Sequence, residues 1–138
     1  MTNKVKVFIS STFTDHTHDR EFIEMICKEM NLDAKLYPEH STPGRRREYL
    51  DSLSNSHIVL LLVPERESGP VQEEIECSRN NGIPIIPFFK VKPGAPTSYE
   101  SVKKRAQKFK MDHATEHACV YSKLEELGRG VKKGIAVI

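Results

Sequence analysis

Ile58-Val59-Leu60-Leu61-Leu62-Val63 is the most apolar run of the chain. It has no polar alternation, so it reads as a strand buried on both faces, over residues 58–63. Strands of that kind occur in parallel sheets whose two faces are covered by helices. What flanks the run agrees. Residues 64–69 form a loop, and Pro70 suits the first turn of a new helix. That helix is predicted over residues 70–81, with Val71, Ile75 and Ser78 inward. Gly82 stops it, and residues 83–89 (Ile-Pro-Ile-Ile-Pro-Phe-Phe) form the next strand.

Upstream, residues 5–9 read as the first strand and residues 10–15 as a polar loop. Residues 19–30 read as a helix with Phe22, Met25, Ile26 and Met30 on one face. A short strand at 34–37, a loop at 38–44 and a helix at 45–54 lead to the apolar run. Downstream, residues 97–100 and 122–125 each carry a capping-box pattern, Thr97 with Glu100 and Ser122 with Glu125. Tyr99, Val102, Ala106 and Phe109 keep helical spacing after the first; Leu124, Leu127, Val131 and Ile135 do so after the second. Residues 118–121 form a fifth strand between these helices.

Five strands with intervening helices predict an α/β fold: a flavodoxin-like open parallel sheet of order 2-1-3-4-5 with helices on both faces. The 138 residues suit a single domain. Ligands of such sheets bind outside the carboxyl ends of the strands, where strand order reverses between strands one and three. The loops after strands one, two and three converge there with the start of the helix that carries Glu74.

Composition narrows the function classes. A formal net charge of +2 argues against nucleic acid as the main partner. Cys27, Cys77 and Cys119 are scattered and odd in number, which reads as free thiols of a reducing compartment. There is no Cys-x-x-Cys pair, and His16, His18, His40 and His57 lack metal-ligand spacing on a helix, so no metal site is expected. Without a targeting core or a membrane-length apolar run, a soluble cytoplasmic protein with no membrane partner is expected.

Glu74 is the residue with the most chemical promise. A carboxylate opening a helix at the edge of a parallel sheet can sit beside a sugar and stabilise an oxocarbenium-like ribose. Acidic residues also open helices simply because the dipole favours them there. Ser10, Ser11 and Thr12 offer hydroxyls and amides for a pyrophosphate, or merely end a strand. Arg45 could pair with a phosphate or belong to a solvated basic face. Phe13 could stack on a ring or pack beneath its loop.

The order of these motifs resembles TIR-like domains. The resemblance lies in Val7-Phe8-Ile9-Ser10-Ser11-Thr12-Phe13-Thr14-Asp15, in Gly44 followed by residues 49–62, in Glu74-Ile75, and in Ile85-Ile86-Pro87. It covers roughly the first ninety residues. One departure stands out: where many TIR domains have Ser-x-Trp-Cys before the glutamate, this chain reads Ser68-Gly69-Pro70-Val71 and contains no tryptophan. The resemblance implies cleavage of the nicotinamide–ribose bond of NAD, by hydrolysis, cyclisation or ADP-ribose transfer, with NAD as substrate and no cofactor. It implies Glu74 as the catalytic residue and Ser10, Ser11, Thr12, Phe13, Arg45 and Ser68 as the substrate-binding set. It further implies a role in antiphage defence and self-association through TIR loops, with a separate sensor or effector protein as a further partner. Two alternatives stay open. One is a non-catalytic TIR-type scaffold. The other is an enzyme similar to nucleoside 2-deoxyribosyltransferases, although residues 63–68 lack the aspartate of that family's loop.

Overall fold

A computed structural model of the chain describes residues 5–10, 13–36, 50–63, 69–91, 99–113 and 117–136. Five strands, β1 (Lys6–Ser10), β2 (Asp33–Leu36), β3 (Ile58–Leu62), β4 (Ile85–Lys90) and β5 (Cys119–Tyr121), form one sheet of order β2-β1-β3-β4-β5. Every neighbouring pair is parallel. This is the predicted topology. The long helices are α1 (Phe13–Glu29), α2 (Gly69–Asn80), α3 (Tyr99–His113) and α4 (Leu124–Ala136). A helical turn at residues 50–54 precedes β3.

The apolar run behaves as its composition demands. All five residues of β3 are buried, because helices cover both faces of the sheet. Val59 and Leu61 point to the face covered by Leu53, Ile75 of α2, and Val102 and Phe109 of α3. Ile58, Leu60 and Leu62 point to the other face, covered by Ile23 and Ile26 of α1 and Leu127 and Val131 of α4. The alternation of β4 is the same: Ile85 and Phe89 on the first face, Ile86 and Phe88 on the second. On that second face α4 lies close to its neighbours. A Cβ on Gly130 would collide with Cys119 and one on Gly134 with Ile86.

Two helices end in the same way. Gly82, at φ 66°, donates its N–H to Arg79, while Ile83 donates to Ser78 five residues back. Asn31, at φ 61°, donates to Lys28, while Leu32 donates to Cys27. Both are Schellman closures, in which a left-handed residue satisfies the last carbonyls of a helix. Gly82 is the stop that the sequence announces. Asn31 uses asparagine's tolerance of the left-handed region for the same purpose.

Several expectations are corrected. The loop expected over residues 10–15 is shorter, since α1 already begins at Phe13. Residues 13–18 contain no glycine or proline, and their Thr and Asp are as much at home in a helix's opening turn as in a loop. Met25 is exposed, and α1 instead buries Asp19, Arg20, Ile23, Ile26 and Cys27. Tyr99 and Leu124 are exposed as well; as first residues of their helices they overhang the core. The C-terminal box uses a different glutamate. Glu126, not Glu125, accepts from the backbone N–H groups of Ser122 and Lys123 and from the Ser122 hydroxyl. The helix starts at Leu124, which makes Lys123 the cap and Glu126 the third helical residue, where a reciprocal carboxylate belongs. The first box falls on Thr97, which lies outside the described residues, as do residues 45–49 of the helix expected at 45–54.

Candidate functional site

The crossovers create the site. From β1 the chain passes to α1 on one face, and from β3 it passes to α2 on the other. Because β1 and β3 are adjacent, the two connections part company between them. In sheets of this kind the carboxyl edge at such a divergence is the usual place for a ligand crevice.

Ser10 ends β1. Strand alternation turns its side chain to the α2 face, the side to which Phe8 also points. Glu74 reaches that position from α2, one residue ahead of the buried Ile75. The Ser10 hydroxyl donates a hydrogen bond to Oε2 of Glu74. Ser10 is 2% exposed and Glu74 5%. A carboxylate so deeply placed is costly unless hydrogen-bonded, and the bond from Ser10 both offsets that cost and orients the group at the exit of β1. The other two acids of this helix stretch, Glu73 and Glu76, are exposed.

Glu74 does not open its helix as expected. α2 begins at Gly69, so Glu74 is its sixth residue, and the first turn holds no acidic side chain. Proline needs no hydrogen-bond acceptor in a first turn, so the helix starts one residue before Pro70. The dipole explanation for an acid in this place therefore lapses. Of the remaining expected residues, Ser11, Thr12, Arg45 and Ser68 lie outside the described residues. Phe13 is the first residue of α1 rather than part of a loop, and its side chain lies outside the described portion.

A second polar group, not anticipated from sequence, sits on the opposite face of the same edge. Asp19 of α1 is 3% exposed. Tyr121, the last residue of β5, donates its hydroxyl to Asp19 Oδ2 at 2.7 Å, and Lys90, the last residue of β4, places its ammonium 3.0 Å from the same oxygen. Burial first, then the hydrogen bond to Asp19 and its charge, push the Tyr121 phenol far above the ordinary tyrosine range, so it stays a donor. The sequence carried a signal for this cluster. Asp19, Ile23, Ile26 and Cys27 share one helical spacing, which places a carboxylate among apolar positions.

The cysteines are free, and burial raises all three thiols, Cys27 to about 11. Such thiols are poor nucleophiles at neutral pH. Among the described residues no group of histidine, cysteine or carboxylate side chains gathers as metal ligands, and no helix is long and apolar enough to cross a membrane.

Residues 6–136 match the family described as "Domain of unknown function (DUF4062)". The chain belongs to this family. No curated protein matches this DUF4062 domain in sequence. Solved structures do resemble it. The CMP N-glycosidase BcmB from Clostridium botulinum is 13% identical with a TM-score of 0.64, over 96% of this chain and 99% of that one. Translation elongation factor SelB from Methanococcus maripaludis, in complex with the GTP analogue GPPNHP, is 16% identical with a TM-score of 0.65, over 99% of the DUF4062 chain and 34% of its own. A flavodoxin-like domain from a Synechococcus sp. protein is 10% identical with a TM-score of 0.52, over 98% and 100%. At these identities the likeness shows the flavodoxin-like α/β fold.

Proposed function

We propose that this DUF4062 protein cleaves the N-glycosidic bond of a nucleotide, with NAD as the substrate and Glu74 as the carboxylate beside the ribose. The observation that carries the reading is the bond from Ser10 to the buried Glu74 at the switch point of the sheet. When the bond from C1′ to nicotinamide breaks, the base leaves with the bonding pair as a neutral molecule, and positive charge develops on the ribose. A fixed carboxylate in a water-poor site stabilises that charge. Water then adds at C1′ and releases a proton. The order of TIR-like motifs supports NAD in particular, and adds self-association and a nucleotide signal in antiphage defence to the proposal.

A second reading is favoured by the fold shared with a CMP N-glycosidase along almost the whole of both chains. Here the substrate is a nucleoside monophosphate, and the leaving base must be protonated as it departs.

The test is chromatography of reactions containing concentrated protein and either NAD or CMP. Release of nicotinamide supports the first reading and release of cytosine the second. Glu74→Gln keeps the shape of the side chain and removes its charge, so turnover should fall by at least about a hundredfold with melting temperature little changed. Undiminished turnover in this variant would reject the role given to Glu74.

A further inference from the structure

The carboxyl edge of the sheet is stepped. Ser10 is level with Leu61 of β3, and Leu61 with Pro87 of β4. β4 runs three residues further, to Lys90, which is level with Tyr121 of β5. β4 and β5 therefore stand as a shoulder above the exits of β1 and β3. At about 3.3 Å per residue the step rises about 10 Å, and two strand spacings of about 4.8 Å separate Ser10 from β4, so their Cα atoms are about 14 Å apart. The low floor carries Glu74. The shoulder carries Lys90.

Lys90 has an unusual setting for a structural lysine. Its side chain is 26% exposed while that of Asp19 is 4% exposed, so the lysine is the partly accessible member of the pair. Both Tyr121 and Lys90 bind the same Asp19 oxygen, Oδ2, and Tyr121 already satisfies it with a good hydrogen bond. A buried ion pair gives a fold little net stability compared with apolar packing. An ammonium has three donors, and the contact with Asp19 occupies one. What the pair does achieve is to fix a flexible lysine at one point of the sheet's edge, with its ordering entropy already spent.

We infer that Lys90, held by Asp19, is the anion subsite of the crevice and takes a phosphate of the substrate. This deepens the proposed function and rests on its placement of the ribose beside Glu74. Floor and shoulder have opposite polarity in the sense a nucleotide requires. The carboxylate faces the sugar carbon that becomes positive, and the ammonium faces the phosphate that is always negative. Glu74 and Lys90 stand on opposite faces of the sheet, so a substrate that meets both lies across the carboxyl edge, where the Cα atoms of Ser10 and Lys90 are about 14 Å apart. The substrate class is thus a phosphorylated nucleoside or a dinucleotide, and not a free nucleoside.

The test is titration calorimetry of inorganic pyrophosphate and of ADP-ribose against the wild type, Lys90→Met, Lys90→Arg and Glu74→Gln. Wild type should bind both ligands, more weakly as salt rises. Lys90→Met should weaken both at least about tenfold, whereas Lys90→Arg and Glu74→Gln should retain pyrophosphate binding. Should Lys90→Met fail to fold because Asp19 loses its cation, the double variant Asp19→Asn/Lys90→Met leaves no orphaned charge and must still lose the anion. Binding of pyrophosphate unaltered by loss of the ammonium, or no binding by wild type, overturns the subsite. The two claims fail separately. Turnover lost in Glu74→Gln but unbiased between nucleotide and nucleoside in the Lys90 variants sinks the subsite alone. Lys90-dependent pyrophosphate binding in a protein that turns over no nucleotide sinks the glycosidic reading alone.

Discussion

Removing one oxygen from Tyr121 tests the buried cluster most directly. The ring is 1% exposed and meets Phe88 edge-on at 6.5 Å, a contact that Tyr121→Phe keeps. What the substitution deletes is the 2.7 Å hydrogen bond to Asp19. A hydrogen bond to a charged group is worth about 1.5–3 kcal/mol. At about 2.1 cal/mol/K per residue, the unfolding entropy of 138 residues is about 290 cal/mol/K. The melting temperature should therefore fall by about 5–10 °C, as followed by circular dichroism at neutral pH. An Asp19→Ala background removes the acceptor, and there the same substitution should cost almost nothing. The sign with pH is fixed too. The phenol is raised in the folded state, so its contribution is complete below the unfolded tyrosine value, about 10, and is lost as pH climbs beyond it. Wild type should lose stability in that alkaline range more steeply than Tyr121→Phe. An equal loss of melting temperature in both backgrounds would refute the assignment of the energy to this bond.

Other perturbations probe the frame. Gly134→Ala brings a methyl group onto Ile86; overpacking of about 1–3 kcal/mol outweighs a helix-propensity gain of about 1 kcal/mol, so denaturant titration should show a net loss of up to about 2 kcal/mol. Ile86→Val takes away the Cδ1 atom that is struck, so the double variant should be more stable than the two single losses add up to; strict additivity counts against the clash. Glu126→Gln should destabilise α4 at about pH 6, and the difference from wild type should shrink as the pH is taken down through the acidic range. The Ser122 hydroxyl first, then the Ser122 and Lys123 amides, hold this carboxyl below its usual 4.5, so its contribution exists above that value and disappears as pH falls through the lowered one. A difference in melting temperature that does not shrink on acidification would contradict the cap.

Strand order was readable because residues 58–63 permit no solvent-facing side and the intervening lengths allow only crossovers. The helix limits were harder. Nothing in Phe13-Thr14-Asp15 distinguishes a loop from a first turn until the end of β1 is placed, and Asn31 declares itself a helix stop only through its positive φ. Glu74 was singled out for a helix-opening position that it does not occupy. Its distinguishing property is burial against Ser10, a contact across 64 positions of sequence that no local spacing reveals. The spacing of Asp19 with Ile23, Ile26 and Cys27 marks an inward carboxylate, but its partners are beyond the reach of any local pattern. Tyr121 lies 102 positions away, and only the parallel register of β4 and β5 brings the tyrosine and Lys90 to one level.

The sheet is framed by small margins. Its outer strands, β2 and β5, contain four and three residues. Such brief borders offer a neighbouring molecule only a few free amides and carbonyls, too little to recruit another chain by strand addition. Among the described residues, then, the sheet's borders give a second copy little to pair with, and the helix surfaces are the larger area it could meet.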